Sequence, residues 1–170
     1  MSKAFTKNDA SGDLAELMAP RAPLPPDTLN YVTARGLRLL RDELAELEAE
    51  RADLAAGDDE VRPAALAKLA VRIGEVTGRI ASAVLVDPTA QPQDRVRFGA
   101  RVVVRGLDGA DRAYRIVGVD EADVKEGRIA FVAPIARALL GKSVGEVVTF
   151  QSPRGAEELE LIDVQYDDDP

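Results

Sequence analysis

The 170-residue chain contains no cysteine and no histidine. The first absence excludes disulfides, thiolate nucleophiles and Cys-based zinc sites. The second excludes Ser-His-Asp triads and imidazole metal ligands. Chemistry carried by the chain alone would fall to carboxylates, lysine, tyrosine or backbone groups. Tryptophan is also missing, and the aromatics amount to four Phe and three Tyr. A core must therefore be built from Leu, Val, Ile and Ala, which suit helix seams and small sheets. No apolar run approaches the ~20 residues that span a bilayer, and the Met1-Ser2-Lys3 start has no signal-peptide core. The expectation is a soluble cytoplasmic protein without membrane contact.

A surplus of positive charge is missing as well. The net charge of −8 divides into −1 over residues 1–30, −3 over 31–87 and −4 over 88–170. No segment is basic enough to grip duplex nucleic acid through its phosphates, so free nucleic acid should bind weakly or not at all. A protein partner, or a site that welcomes a cation, fits this balance better.

The strongest positive signal is periodicity. Residues 1–30 read as a disordered leader, with Pro20, Pro23, Pro25 and Pro26 close together. Thr33 is a helix N-cap. After it, Leu37, Leu40, Leu44, Leu47, Arg51 and Leu54 recur at spacings of 3, 4, 3, 4 and 3 among charged neighbours. That is a heptad seam with a solvated outer face. Gly57-Asp58-Asp59-Glu60 interrupts it, and Pro63 opens a second helix from its first turn. Leu66, Leu69, Ile73, Val76 and Ile80 repeat the spacing, and Val84 extends the stripe. Two seams joined by a short polar turn predict an antiparallel hairpin over 31–87. Its first arm, about 24 residues long, would reach roughly 36 Å. Gly74 and Gly78 each cost about 1 kcal/mol relative to Ala in a helix interior; a close approach of the two arms is the reading that would explain them.

Residues 88–94 read as a linker, and beyond it the period becomes strand-like. Val96–Arg105 alternates, Leu107-Asp108-Gly109 is a hairpin turn, and 113–119 is the returning strand. Arg128–Val132 is a further strand, and Ile135–Leu140 a short helix between Pro134 and Gly141. Val147–Gln151 and Leu159–Gln165 form a last hairpin across Ser152-Pro153-Arg154-Gly155. The prediction is an α+β chain, a coiled-coil hairpin followed over 95–170 by a small antiparallel sheet domain with one helix.

Several segments of this layout resemble the Gre family of transcript-cleavage factors. Tyr31-Val32-Thr33, Gly36, Leu40, Glu43-Leu44 and Leu47 look like the start of a Gre first helix, and 83–87 (Ala-Val-Leu-Val-Asp) like the exit into its linker. The most specific stretch is 134–142 (Pro-Ile-Ala-Arg-Ala-Leu-Leu-Gly-Lys) with Val144-Gly145-Glu146. It is similar to the signature of the family's FKBP-like domain. Phe98-Gly99-Ala100 and 114–118 (Tyr-Arg-Ile-Val-Gly) match the GreB side of the family. The resemblance covers residues 30–166.

It implies a bacterial elongation factor that binds RNA polymerase at its secondary channel as a monomer. The hairpin would enter the channel, meet the nascent RNA 3′ end and stimulate cleavage of backtracked RNA. The tip carboxylates Asp58, Asp59 and Glu60 would act in the polymerase site, with Asp58 and Asp59 sharing its Mg²⁺. The factor would have no cofactor and no enzymatic activity of its own. Arg137 and Lys142 would be polymerase contacts. The chain departs from the family at the tip, where a Gly-Asp is followed three residues on by Glu-Asn with a Tyr nearby. Gly57-Asp58 is in place, but Val61 stands where the Glu would be. The arms are also about two turns short, on the order of 10 Å of reach. These departures favour an alternative: a non-cleaving channel occupant that competes with other factors.

Each candidate has a plainer reading. Gly57 suits a helix end, and acidic residues suit the positive start of the next helix. Arg51 in the seam reads as a snorkelling side chain. Lys68, Arg72 and Arg79 read as a solvated face before they read as an RNA-facing strip. An FKBP-like domain invites a prolyl-isomerase reading. Such pockets are lined by aromatics, however, and here only Phe98, Tyr114, Phe131, Phe150 and Tyr166 are at hand.

Overall fold

The computed structural model describes residues 23–57 and 62–167. Residues 1–22, most of the predicted leader, lie outside the described residues. The predicted end of that leader at residue 30 falls within ordered chain. Leu24 packs against the sheet domain's core, and Asn30 is the first residue of a strand.

Strand β1 (Asn30–Val32) leads into helix α1 (Ala34–Ala56), which helix α2 (Arg62–Ala81) follows as the second arm. Thr33 caps α1 as its sequence predicts: its hydroxyl accepts the Gly36 amide at 2.9 Å. Leu40, Leu47, Leu69 and Val76 are the buried residues of the seam, flanked by half-buried Leu37, Leu44, Leu54, Ile73 and Ile80. Full burial of such a side chain stabilises the hairpin by about 1.5–3 kcal/mol, and the half-buried ones contribute less. Gly74 and Gly78 do not serve a close approach of the arms, because a Cβ added at either would meet nothing within 4 Å.

The stripe does not run on to Val84. Helix α2 stops at Ala81, and Ala83–Leu85 forms strand β2, paired in parallel with β1. Asn30 explains the stop, since its side-chain amide donates to the Arg79 carbonyl at 2.9 Å and to Ser82 Oγ at 3.2 Å. One of the helix's orphan carbonyls is thereby satisfied.

Pro88–Ala90 is a 3₁₀ turn capped by Asp87, which accepts from the Thr89 amide. Five strands follow: β3 (Arg101–Gly106), β4 (Asp111–Val117), β5 (Arg128–Ala130), β6 (Val147–Ser152) and β7 (Gly155–Gln165). They form one sheet in the order β5-β4-β3-β7-β6. The predicted strand at 96–105 is shorter at its start. Gly99 turns the chain at φ 84°, a conformation that favours glycine, and Val96 is instead bonded to Lys142 and Gly141. The ladders are antiparallel except β4–β5, which is parallel and crosses over through 3₁₀ turns at Val119–Glu121 and Val124–Glu126. Helix α3 (Pro134–Leu139) covers the sheet with Ala136 and Leu139 fully buried. It opens on proline and ends before Gly141 at φ 82°.

Candidate functional site

The sequence places its candidate chemistry at the hairpin tip. Asp58, Asp59, Glu60 and Val61 lie outside the described residues, so their position in the chain is what can be stated. They join Gly57, the cap of α1, to Arg62, the first residue of α2. The Gly57 amide closes the last turn onto the Leu54 carbonyl at 3.3 Å, and the Arg62 guanidinium donates to the Gly57 carbonyl. Toward this end the seam thins. Leu47 and Leu69 are its last buried residues, and Arg51, Ala52, Ala55 and Ala56 are exposed. Among the described residues no group of three or more His, Cys, Asp or Glu side chains could hold a metal ion.

The base of the hairpin is built differently. Alternation along β1 sends neighbours to opposite cores. Tyr31 packs on the sheet domain, with its ring centroid 5.7 Å from those of Phe98 and Phe131, while Val32 joins the hairpin seam. Phe98 and Phe131 are thus engaged with Tyr31 and, at 5.6 Å, with each other. Beneath β1 the 3₁₀ turn presents Glu121, which is 4% exposed. Its carboxylate accepts from the Thr33 hydroxyl at 2.5 Å and from Arg128 at 2.9 Å, with Arg35 at 3.4 Å. The residue that caps α1 is therefore held by a carboxylate of the other domain. Asp120 adds an ion pair to Arg79 of α2 at 3.6 Å. Two glycines admit this contact: a Cβ on Gly36 would stand 2.7 Å from Glu121 Oε2, and one on Gly118 would stand 2.7 Å from the Tyr31 carbonyl.

The remaining candidates scatter. Arg79 is committed to Asp120, and Arg72 bridges the arms to Glu43 at 3.1 Å, so only Lys68 of the proposed strip faces solvent uncommitted. Arg137 is exposed on α3. Lys142 lies past its end, 3.4 Å from Glu146, whose carboxyl is held below its ordinary range chiefly by the Ser143 amide. The Glu121 brace was missed from the sequence, since its partner Thr33 is 88 residues away and no local pattern marks either as a pair.

The described geometry is thus a two-helix arm fixed at its root to a sheet domain, with the acidic sequence 58–60 joining the far ends of its helices. The comparisons name the class. Residues 91–166 match the family model described as "Transcription elongation factor, GreA/GreB, C-term". Transcription elongation factor GreA of Alkalilimnicola ehrlichii is 38% identical over 152 residues, covering 79% of this chain and 96% of that one. GreB of Neisseria meningitidis serogroup A is 33% identical over 156 residues, covering 82% and 96%. Some GreA relatives match at 43–45% identity over shorter stretches, and there the chain spans 61–62% of the relative's length. Among solved structures, GreA factor homolog 1 (Gfh1) of Thermus thermophilus is 20% identical, covering 81% of this chain and 99% of that one at a TM-score of 0.39. The chain belongs to the GreA/GreB family of transcription elongation factors.

Proposed function

We propose that this factor docks on RNA polymerase through its sheet domain, inserts the hairpin into the secondary channel and stimulates cleavage of backtracked RNA. The observation that carries the reading is the pairing of a braced base with an acidic turn, Asp58-Asp59-Glu60, at the other end of the arms. Hard carboxylate oxygens suit Mg²⁺, and two or three of them leave coordination positions for a partner's ligands. Asp58 and Asp59 would hold the shared ion, with Glu60 beside them. A second metal supplies activation of water and stabilisation of the leaving oxygen of a phosphodiester. The chain's own part is to carry the carboxylates to the nascent RNA 3′ end and hold them there. Arg137, exposed on α3, and Lys142 beyond it are the proposed polymerase contacts.

A second reading rests on Val61, which stands where the family's tip carries an acid, and on the short arms. In it the hairpin occupies the channel without promoting cleavage and excludes other factors. A transcript-cleavage assay on stalled complexes separates the two. The first reading expects stimulation by the wild type, abolished by Asp58→Ala plus Asp59→Ala with docking retained. No stimulation by the wild type, together with displacement of an active cleavage factor, gives the second. Normal cleavage by the double variant removes the tip from the mechanism.

A further inference from the structure

The outer face of the sheet carries a cross-strand row that the arm-and-tip reading does not use. Register places Gln165 opposite Arg101, Arg101 opposite Arg115, and Arg115 opposite Arg128, across β7, β3, β4 and β5. Residues opposite one another share a face, and like charges so placed destabilise a sheet. A second row on the same face shows the ordinary solution. There Glu160, Arg105 and Asp111 alternate in sign, and Arg105 donates to both Asp111 oxygens at 2.7 and 3.0 Å.

The arginine row lines a shallow cleft of about 250 Å³ together with Ala113, Tyr114, Glu126 and Gly127. Two of its guanidiniums are held in place from outside the row. Arg128 is fixed by buried Glu121, and Arg115 by Asp167 at 2.6 Å; neither acid lines the cleft. Arg115 and Arg128 side chains are only 13% and 15% exposed, so they are oriented before any ligand arrives. Arg101 has no acidic partner among the described residues, its contact being the neutral Gln165 amide oxygen at 3.1 Å. The cleft lining thus bears three cations and one acid, Glu126. Arg115 and Arg128 are each also paired with an acid outside it, and Arg101 is the cation of the three with no acidic partner among the described residues.

We propose that the Arg101–Arg115–Arg128 cleft is a phosphate-binding site. Guanidinium forks match the oxygens of a phosphoryl group, and fixed forks lose little freedom on binding. The phosphoryl group can come from a free nucleotide or from the backbone of a nucleic acid. The site does not depend on the tip chemistry. It also does not conflict with the lack of a broad basic surface, because one cleft neutralises one or two phosphates rather than a duplex.

The test is a titration of the whole chain with inorganic pyrophosphate, followed by backbone amide NMR shifts. The expected shifts centre on Ala113, Gly127 and Arg128. Arg101→Ala should weaken binding by at least about tenfold, the size expected for a charge-assisted contact. Arg101 braces no buried acid, so its loss should leave the rest of the spectrum in place. Glu126→Gln should tighten binding by about two- to threefold through removal of the opposing charge. ATP and a short single-stranded RNA then identify the source. Tighter binding of ATP than of pyrophosphate assigns a nucleotide, and tighter binding of RNA assigns a backbone. Shifts scattered over the surface, or unchanged affinity in both Arg101→Ala and Glu126→Gln, overturn the site.

Discussion

The two ends of the helical hairpin are made to different rules. At its base, four independent devices converge: the β1–β2 ladder, the Tyr31 ring, the Glu121 carboxylate and the Arg79–Asp120 pair. Toward the tip, the seam ends in half-buried Leu54 and exposed alanines. The difference separates two tasks. Fixing an arm's direction needs buried, geometrically exact contacts at its root, because a small rotation there becomes a large displacement at its far end. In the proposed function, the tip's part is to carry charge.

The base is most vulnerable at Glu121, its buried carboxylate. Removing one partner of a buried pair strands the others, a loss of about 3–5 kcal/mol. Glu121→Ala should therefore lower the unfolding free energy by that order, while Asp58→Ala plus Asp59→Ala leaves it unchanged. Chemical denaturation of both variants measures the contrast. Gly36→Ala approaches the same joint from the helix side, since its Cβ would crowd the carboxylate at 2.7 Å. It should act in the same direction but less strongly, because a side chain can yield. Equal stability in Glu121→Ala and the tip variant would mean that the base carries no special load.

A smaller effect, of opposite sign, sharpens the contrast along the arms. Gly74 and Gly78 sit in the α2 interior with open space around them, so neither contact nor backbone conformation requires glycine. Gly74→Ala and Gly78→Ala should each stabilise the chain by about 0.5–1 kcal/mol, read as a raised thermal midpoint. A fall at either position would mean that α2 is packed more closely there than the open space allows.

What could be read from the sequence follows physical range. The seam was legible because helical burial repeats every few residues, and α3 because proline and glycine mark its ends. The three-residue strands β1 and β2 were not. Neither is long enough to show alternation, and Val84 falls four residues after Ile80, so it imitates another turn of helix. The parallel β4–β5 ladder was hidden because pairing direction is set by the crossover, not by the strands. Glu121 was invisible for the same reason as the arginine row: both exist only once distant strands come together. The candidate tip, by contrast, is a local motif, which is why it could be named from sequence although its residues lie outside the described structure.

Acid acts on the base weakly, through Asp87. Asp87, the cap at the exit of the hairpin base, is held below its ordinary value of 3.8, first by the Thr89 hydroxyl and then by the Thr89 amide. These donors favour the ionised form in the folded chain. A carboxyl whose folded value is depressed adds stability that is fully present above the unfolded value and is lost as pH falls through the folded one. The loss therefore belongs to the range below about pH 4, with none at neutrality. Asp87 is fully solvated, so its share is small and should shrink further with salt. Asp87→Asn keeps an acceptor for the Thr89 amide but cannot ionise. Its thermal midpoint should fall less than the wild type's between pH 4 and pH 2.5, with the two curves parallel above pH 5. Parallel curves throughout the acid range would remove the Asp87 cap from the acid sensitivity of the base.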